Sequence, residues 1–125
     1  MMGRLHFEEF THDGKNFMYI DMAGLKVSEE ITELVAAVQP AIAKYPEGSL
    51  YTITNLENAK FDTEMKQIMI DYLKHNKPYV KYGAIIGFDG VVKIVANMMF
   101  TLTGRSNILF AFTREQAVEF LLEKE

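Results

Sequence analysis

Apolar and polar residues alternate along the chain in blocks that predict nine secondary-structure elements. Five short runs, 5–10, 17–22, 49–55, 79–88 and 107–112, are rich in apolar and β-branched residues and predict strands. Asp13-Gly14 between the first two runs favours a tight hairpin turn. The order β-β-α-β-α-β-α-β-α predicts an α/β fold, with a mainly parallel five-stranded sheet and one antiparallel edge strand.

Helix start and stop signals separate the strands. Ser28 and Asp62 are predicted N-caps, and the segment from Thr113 to Gln116 reads as a capping box. Gly104 is expected to end the third helix. The last strand, 107–112, is apolar enough to predict a buried position in the sheet.

The third helix, predicted over 91–103, is apolar around most of its circumference. A helix that covers a sheet needs an apolar face only about 100° wide. We expect the sheet to bury one set of side chains, Val91, Val95, Met98 and Leu102. A second set then requires another helix, another chain or a ligand as its cover: Val92, Met99 and Phe100.

Length and charge narrow the classes of function. The chain has 125 residues, 49% of them hydrophobic, which predicts one domain over 1–125. The net charge of −4 provides no basic surface for a phosphate backbone, so no nucleic acid is expected as partner. There is no cysteine, no signal-peptide pattern and no apolar run that would span a membrane. A cytoplasmic protein is predicted.

Catalytic and cofactor motifs are missing from the sequence. It contains no nucleophile elbow, no phosphate-binding loop and no dinucleotide fingerprint. His6, His12 and His75 have no metal-ligand spacing. We therefore predict no enzyme activity, no metal and no cofactor.

The start of the third helix is a candidate anion site. Backbone amides near Gly90 would lie at the helix N-terminus, where anions bind, and Lys93 and Arg105 could add positive charge. Asp89 is the competing group, because its carboxylate can cap the same amides.

Several phrases of the chain together resemble the STAS fold, and more closely the SpoIIAA-like group of small stand-alone bacterial proteins. The resemblance covers nearly the whole chain and is carried by YIDMAGL, TITNLENAKFD, HNKPYVKYGAIIG, GVVKIVANMMFTLTGR and FTREQAVEFLLE. It implies a sheet with one antiparallel edge strand, and proteins that bind partners or ligands without catalysing reactions.

The resemblance also implies a candidate phosphorylation site. In the sporulation anti-anti-sigma factor, a serine at the start of the helix after the third strand is phosphorylated. The matching position here is Thr63, although Glu64 and Met65 replace small residues of that phrase. Asp62 and Thr63 alternatively only cap the helix.

Two functions remain open. The first is a regulatory or interaction module that binds a protein partner, or itself as a homodimer, through the apolar helix. The second is a carrier or sensor of a small apolar ligand such as a lipid, as in the Sec14-type fold, whose element order is similar. Its pocket would lie between the third helix and Met65, Met69 and Tyr72 of the second.

Overall fold

One sheet contains all five strands in the order in which they occur in the chain, β1-β2-β3-β4-β5. The computed structural model describes residues 7–124, so the predicted start of β1 at Leu5 and His6 lies outside the described part. β1 pairs antiparallel with β2, and the remaining pairs are parallel. This confirms the predicted fold class. The strands are β1 (Phe7–His12), β2 (Lys15–Asp21), β3 (Leu50–Asn55), β4 (Val80–Ile86) and β5 (Ile108–Phe110).

Four helices cover the two faces of the sheet unequally. They are α1 (Ser28–Ile42), α2 (Thr63–Asn76), α3 (Gly90–Thr103) and α4 (Arg114–Leu122). Right-handed crossovers between successive strands place α1, α2 and α3 on one face, where they share a core with Met18 and Ile20 of β2. On the opposite face, α4 packs through Ala117 and Leu121 against Phe17 and its neighbours.

Side-chain caps fix the helix starts, with one correction to the sequence prediction. Asp62 accepts a hydrogen bond from the Met65 amide at 2.8 Å, which confirms it as the N-cap of α2. The N-cap of α1 is Val27 and not Ser28. The carboxylate of Glu30 accepts hydrogen bonds from the backbone amides of Lys26 and Val27. The capping interaction is therefore made by a side chain of the first helical turn and not by the serine hydroxyl.

The prediction of a buried last strand is wrong. β5 has three residues, and all of them are only half-buried. It pairs with β4 alone, so it forms the second edge of the sheet, and its outer side lacks a neighbouring strand. The apolar run therefore does not mark a central strand. Ile108 and Phe110 pack on the side of α3, Leu109 and Ala111 pack on the side of α4, and Phe112 is exposed.

The ends of β3 and β4 lie in close contact before α3 begins. Gly87 has a φ of +71°, and a Cβ atom built there would lie 2.3 Å from Asn55 Oδ1 and 2.8 Å from the Glu57 amide nitrogen. Asn55 in turn accepts a hydrogen bond from that amide at 3.0 Å. Only glycine fits this contact, and it sets the position from which α3 starts.

Candidate functional site

Helix α3 faces the core with a different side from the one predicted. Its buried residues are Val92, Ala96, Met99, Phe100 and Thr103. The hydroxyl of Thr103 donates to the carbonyl of Met99 at 2.8 Å, so this polar side chain is satisfied inside the core. The set Val92, Met99 and Phe100 is covered by the chain's own sheet and helices, and a protein partner cannot reach it without opening the core.

Three of the four residues expected on the sheet are therefore on the outside, and the fourth, Val95, is half-buried and packs against the core. Val91, Met98 and Leu102 are exposed, which makes the predicted orientation of α3 wrong. When a helix is apolar on nearly all sides, its sequence pattern does not determine which side is buried. The small side chain of Ala96 allows close approach to the sheet at the centre of the observed face.

An exposed apolar stripe results on the outer face of α3. Its four members are spaced i, i+3, i+7 and i+11 and so share one side of the helix. They have exposed fractions of 72%, 64%, 61% and 68% and are, in order, Val91, Ile94, Met98 and Leu102. We call this set the α3 stripe. Ile94 was placed in neither set from the sequence. It lies beside a polar row at four-residue spacing, formed by Lys93, Asn97 and Thr101.

Both ends of α3 are fixed, so the stripe is carried by a rigid element. Asp89 accepts a hydrogen bond from the Val92 amide at 2.8 Å. At the other end Gly104 adopts the left-handed conformation with a φ of 70°, and its amide bonds back to Phe100 and Thr101 carbonyls. This confirms the predicted end of the helix.

A groove adjoins the stripe at the carboxyl edge of the sheet. It has a volume of about 630 Å³ and lies between the loops that follow β2 and β3 and the start of α3. Lys26 and Lys60 line it together with Phe61, and Val91 belongs to both the groove and the stripe. Sequence reasoning missed this groove because its residues come from two separate loops and from the start of α3.

The predicted apolar pocket between α2 and α3 is small. Five of the six residues proposed for it line a cavity of about 40 Å³: Met69, Tyr72, Val92, Met99 and Phe100. The sixth, Met65, is fully buried elsewhere in the core. A cavity of this size holds a few water-sized particles. A lipid does not fit, and the carrier alternative finds no support here.

The three residues of the predicted anion site are not brought together. Gly90 and Arg105 flank the two ends of a 14-residue helix, which is about 21 Å long. The ammonium of Lys93 lies 5.0 Å from the ring centre of Phe110 and 5.6 Å from that of Phe88. The carboxylate of Asp89 occupies the amide of Val92, one of the free amides at the start of the helix.

Thr63 is exposed as the first residue of α2. Its position at a helix N-terminus matches the place of the phosphorylated serine implied by the resemblance. Asp62 caps the same turn, and Glu64 lies beside Thr63. Phe61, two residues earlier, lines the groove.

Within 7–124 no three His, Cys, Asp or Glu side chains are grouped so that they could hold a metal ion. None of the helices in that part of the chain is long and apolar enough to cross a membrane.

Comparison with known proteins bears on the fold. No family model and no curated protein sequence matches the chain. A solved structure described as an anti-sigma-factor antagonist (STAS) domain protein from Planctomyces limnophilus is similar, with a TM-score of 0.60 and 10% sequence identity. The similarity covers 92% of this chain and 97% of the other. It agrees with the resemblance seen in the sequence, and the chain has the STAS fold.

Proposed function

We propose that this chain is a non-catalytic regulatory module of the bacterial cytoplasm that binds a protein surface through the α3 stripe. The partner is another protein or a second copy of the chain. The description of the similar structure as an anti-sigma-factor antagonist supports a regulatory role of this kind.

The observation that carries the proposal is the exposure of four large apolar side chains on one helix. Single exposed apolar residues are ordinary, but contiguous patches on soluble proteins usually belong to binding sites. Burying one such side chain fully contributes about 1.5–3 kcal/mol. Because association itself costs about 4–15 kcal/mol, the stripe supplies a large part of the energy needed and also requires neighbouring contacts.

The groove beside the stripe suggests where those contacts form. Lys26 and Lys60 are exposed cations at its rim, and rim charges mainly set orientation and association rate. A partner that places an apolar residue on Val91 and a carboxylate near these lysines would use both surfaces.

Self-association is tested with two matched variants. Ile94→Asp places a charge in the middle of the stripe, and Ala36→Asp places one at an exposed position of α1. Light scattering at low micromolar concentration should show a dimer for the wild type and for Ala36→Asp, and a monomer for Ile94→Asp. A monomeric wild type would exclude self-association.

Binding to a different protein is tested in cells of the source organism. A photo-crosslinking amino acid at position 94 should give a discrete adduct with one protein, and the same amino acid at position 36 should not. Equal labelling at both positions, or none at either, would contradict binding through the α3 stripe.

Phosphorylation of Thr63 remains a proposal that rests on the resemblance and on its exposed place at the start of α2. A phosphate there would interact favourably with the helix N-terminus and unfavourably with Asp62 and Glu64. Mass spectrometry of the protein purified from its own cells should find the phosphate on Thr63, and an unmodified peptide under all growth conditions would count against it.

A further inference from the structure

A group of buried polar residues lies away from the α3 stripe. Only a few polar side chains in residues 7–124 are buried, and most of them surround one recess between α2, the end of α3 and the sheet: Thr52, Thr54, Asn76 and Arg105. The recess has a volume of about 30 Å³ and is also lined by Tyr72. We call it the Arg105 recess.

Arg105 brings a full positive charge into this recess. It is 6% exposed. Its Nε donates to Asn107 Oδ1 at 3.0 Å, and its Nη1 donates to the carbonyl of Leu73 at 3.2 Å. A guanidinium carries five N–H donors, and two of them have an acceptor among residues 7–124. Nη2 has no acceptor there but is not sealed off from solvent, because no Arg105 nitrogen is both buried and unpaired. No carboxylate of residues 7–124 forms an ion pair with Arg105.

The acceptors that Arg105 has are neutral. The Leu73 carbonyl belongs to the last turns of α2, where the helix dipole adds partial negative charge. This offsets only part of one positive charge. A buried charge without a counter-charge is costly, and burial accordingly lowers the pKa of Arg105. The recess is therefore short of negative charge.

Tyr72 is a further unused donor in the same place. Its hydroxyl oxygen is the one buried side-chain polar atom within residues 7–124 that has no hydrogen-bond partner. Burial raises the pKa of Tyr72, which keeps the hydroxyl protonated. The Asn76 side chain and the charge of Arg105, both nearby, act on this pKa in the opposite direction. Unpaired buried hydroxyls are rare and usually indicate a missing partner.

We propose that the Arg105 recess binds one small monovalent anion of the halide class, held by the guanidinium of Arg105 and the hydroxyl of Tyr72. Such an ion supplies the missing charge and accepts from both groups. A volume of about 30 Å³ accommodates one or two water-sized particles, which suits a monatomic ion. This site is independent of the α3 stripe, and the proposed function does not depend on it.

Unfolding in different sodium salts tests the proposal. A halide that binds only the folded protein lowers the unfolding equilibrium constant about tenfold for each tenfold rise in concentration once the site is mostly filled. Chloride and bromide should do so, and gluconate at the same ionic strength should not, because it is too large to enter. An equal effect of all three salts would overturn the proposal.

Three variants separate the site from general salt effects. Arg105→Met should abolish the difference between bromide and gluconate, and Tyr72→Phe should weaken bromide binding about tenfold or more. Lys74→Met removes an exposed cation from the last turn of α2 and should leave the difference unchanged. A bromide effect that survives Arg105→Met would contradict the assignment.

Bromide-soaked crystals of the wild type provide a measurement that needs no variant to fold. The expected result is an anomalous scattering peak within contact distance of the Arg105 guanidinium. A recess that contains only water, or that stays empty at high bromide concentration, would overturn the proposal.

Discussion

Gly87 is the residue at which the ends of β3 and β4 come closest. Its positive φ and the short distances from its missing Cβ to Asn55 and to the Glu57 backbone act together. Asn55 cannot move away freely, because its side chain also donates to the hydroxyl of Tyr19 at 3.1 Å. The sequence alone does not show which neighbours come close to Gly87.

Gly87→Ala should destabilise the protein by about 3 kcal/mol or more, because left-handed strain of about 1–2 kcal/mol is added to a steric clash with backbone. Gly14→Ala is the matched control, since Gly14 has a φ of +75° and open space around its Cβ position. The loss of stability in Gly14→Ala should correspond to the left-handed strain alone. Urea unfolding of both variants measures the difference, and equal losses would show that the contact with Asn55 is unimportant.

Among the elements, α3 shows how far sequence reasoning reaches. Its existence, its cap at Asp89 and its end at Gly104 follow from local signals and are all observed. Its buried face does not follow, because Val92 and Val91 are equally apolar and only the packing on β4 and α2 distinguishes them. The small residue Ala96 and the polar row through Asn97 were the available signals for the correct orientation.

Asp89→Ala should lower the free energy of unfolding by about 1 kcal/mol, because the Val92 amide loses its acceptor. Asp71→Ala is the control, since exposed Asp71 accepts a bond only from the Gln67 side chain among the contacts described for it, and it should change stability by less than about 0.5 kcal/mol. Chemical unfolding measures both. Equal losses would mean that α3 does not depend on its cap.

The same variant tests the remaining anion prediction for Gly90 and Lys93. With the carboxylate of Asp89 removed, the amides at the start of α3 become available to an anion. Phosphate should then stabilise Asp89→Ala more than it stabilises the wild type. If phosphate stabilises both proteins equally, Gly90 and Lys93 do not form an anion site.

For the whole molecule, the order of elements was sufficient to predict the fold, since helices between strands require parallel pairing and right-handed crossovers. The functional surface could not be predicted in the same way. The α3 stripe depends on a helix rotation, and the groove assembles Lys26 and Lys60 from two loops with Val91 of α3. The Arg105 recess joins side chains from β3, α2 and the segment after α3, with no spacing in the sequence to connect them.

The stability of the protein at high pH should depend on a contact between strand β1 and the segment after helix α1. The hydroxyl of Tyr45, after α1, donates to the carboxylate of Glu9 in β1. Burial raises the pKa of Tyr45 to about 12, and the hydrogen bond and the charge of Glu9 act in the same direction. In the unfolded chain a tyrosine titrates near about 10. The stabilisation is thus complete below pH 10 and is lost as the pH rises from about 10 through about 12.

Urea unfolding of the wild type and Tyr45→Phe between pH 9 and 12 checks this. The wild type should lose stability more steeply with pH than the variant, and Glu9→Gln, which keeps an acceptor but no charge, should lie between them. Parallel curves for all three proteins would show that the contact does not persist in solution.

The sequential order of the strands also has a consequence for how the chain reaches this structure. Every strand pairs only with strands that are adjacent in sequence. The central strand β3 therefore finds β2 as soon as α1 and β3 have been synthesised, and the sheet then grows by one helix and strand at a time. Such a topology keeps contacts relatively local, which favours fast folding. The exception is α4, because its contacts with β3 and β4 can form only after β5 has been added.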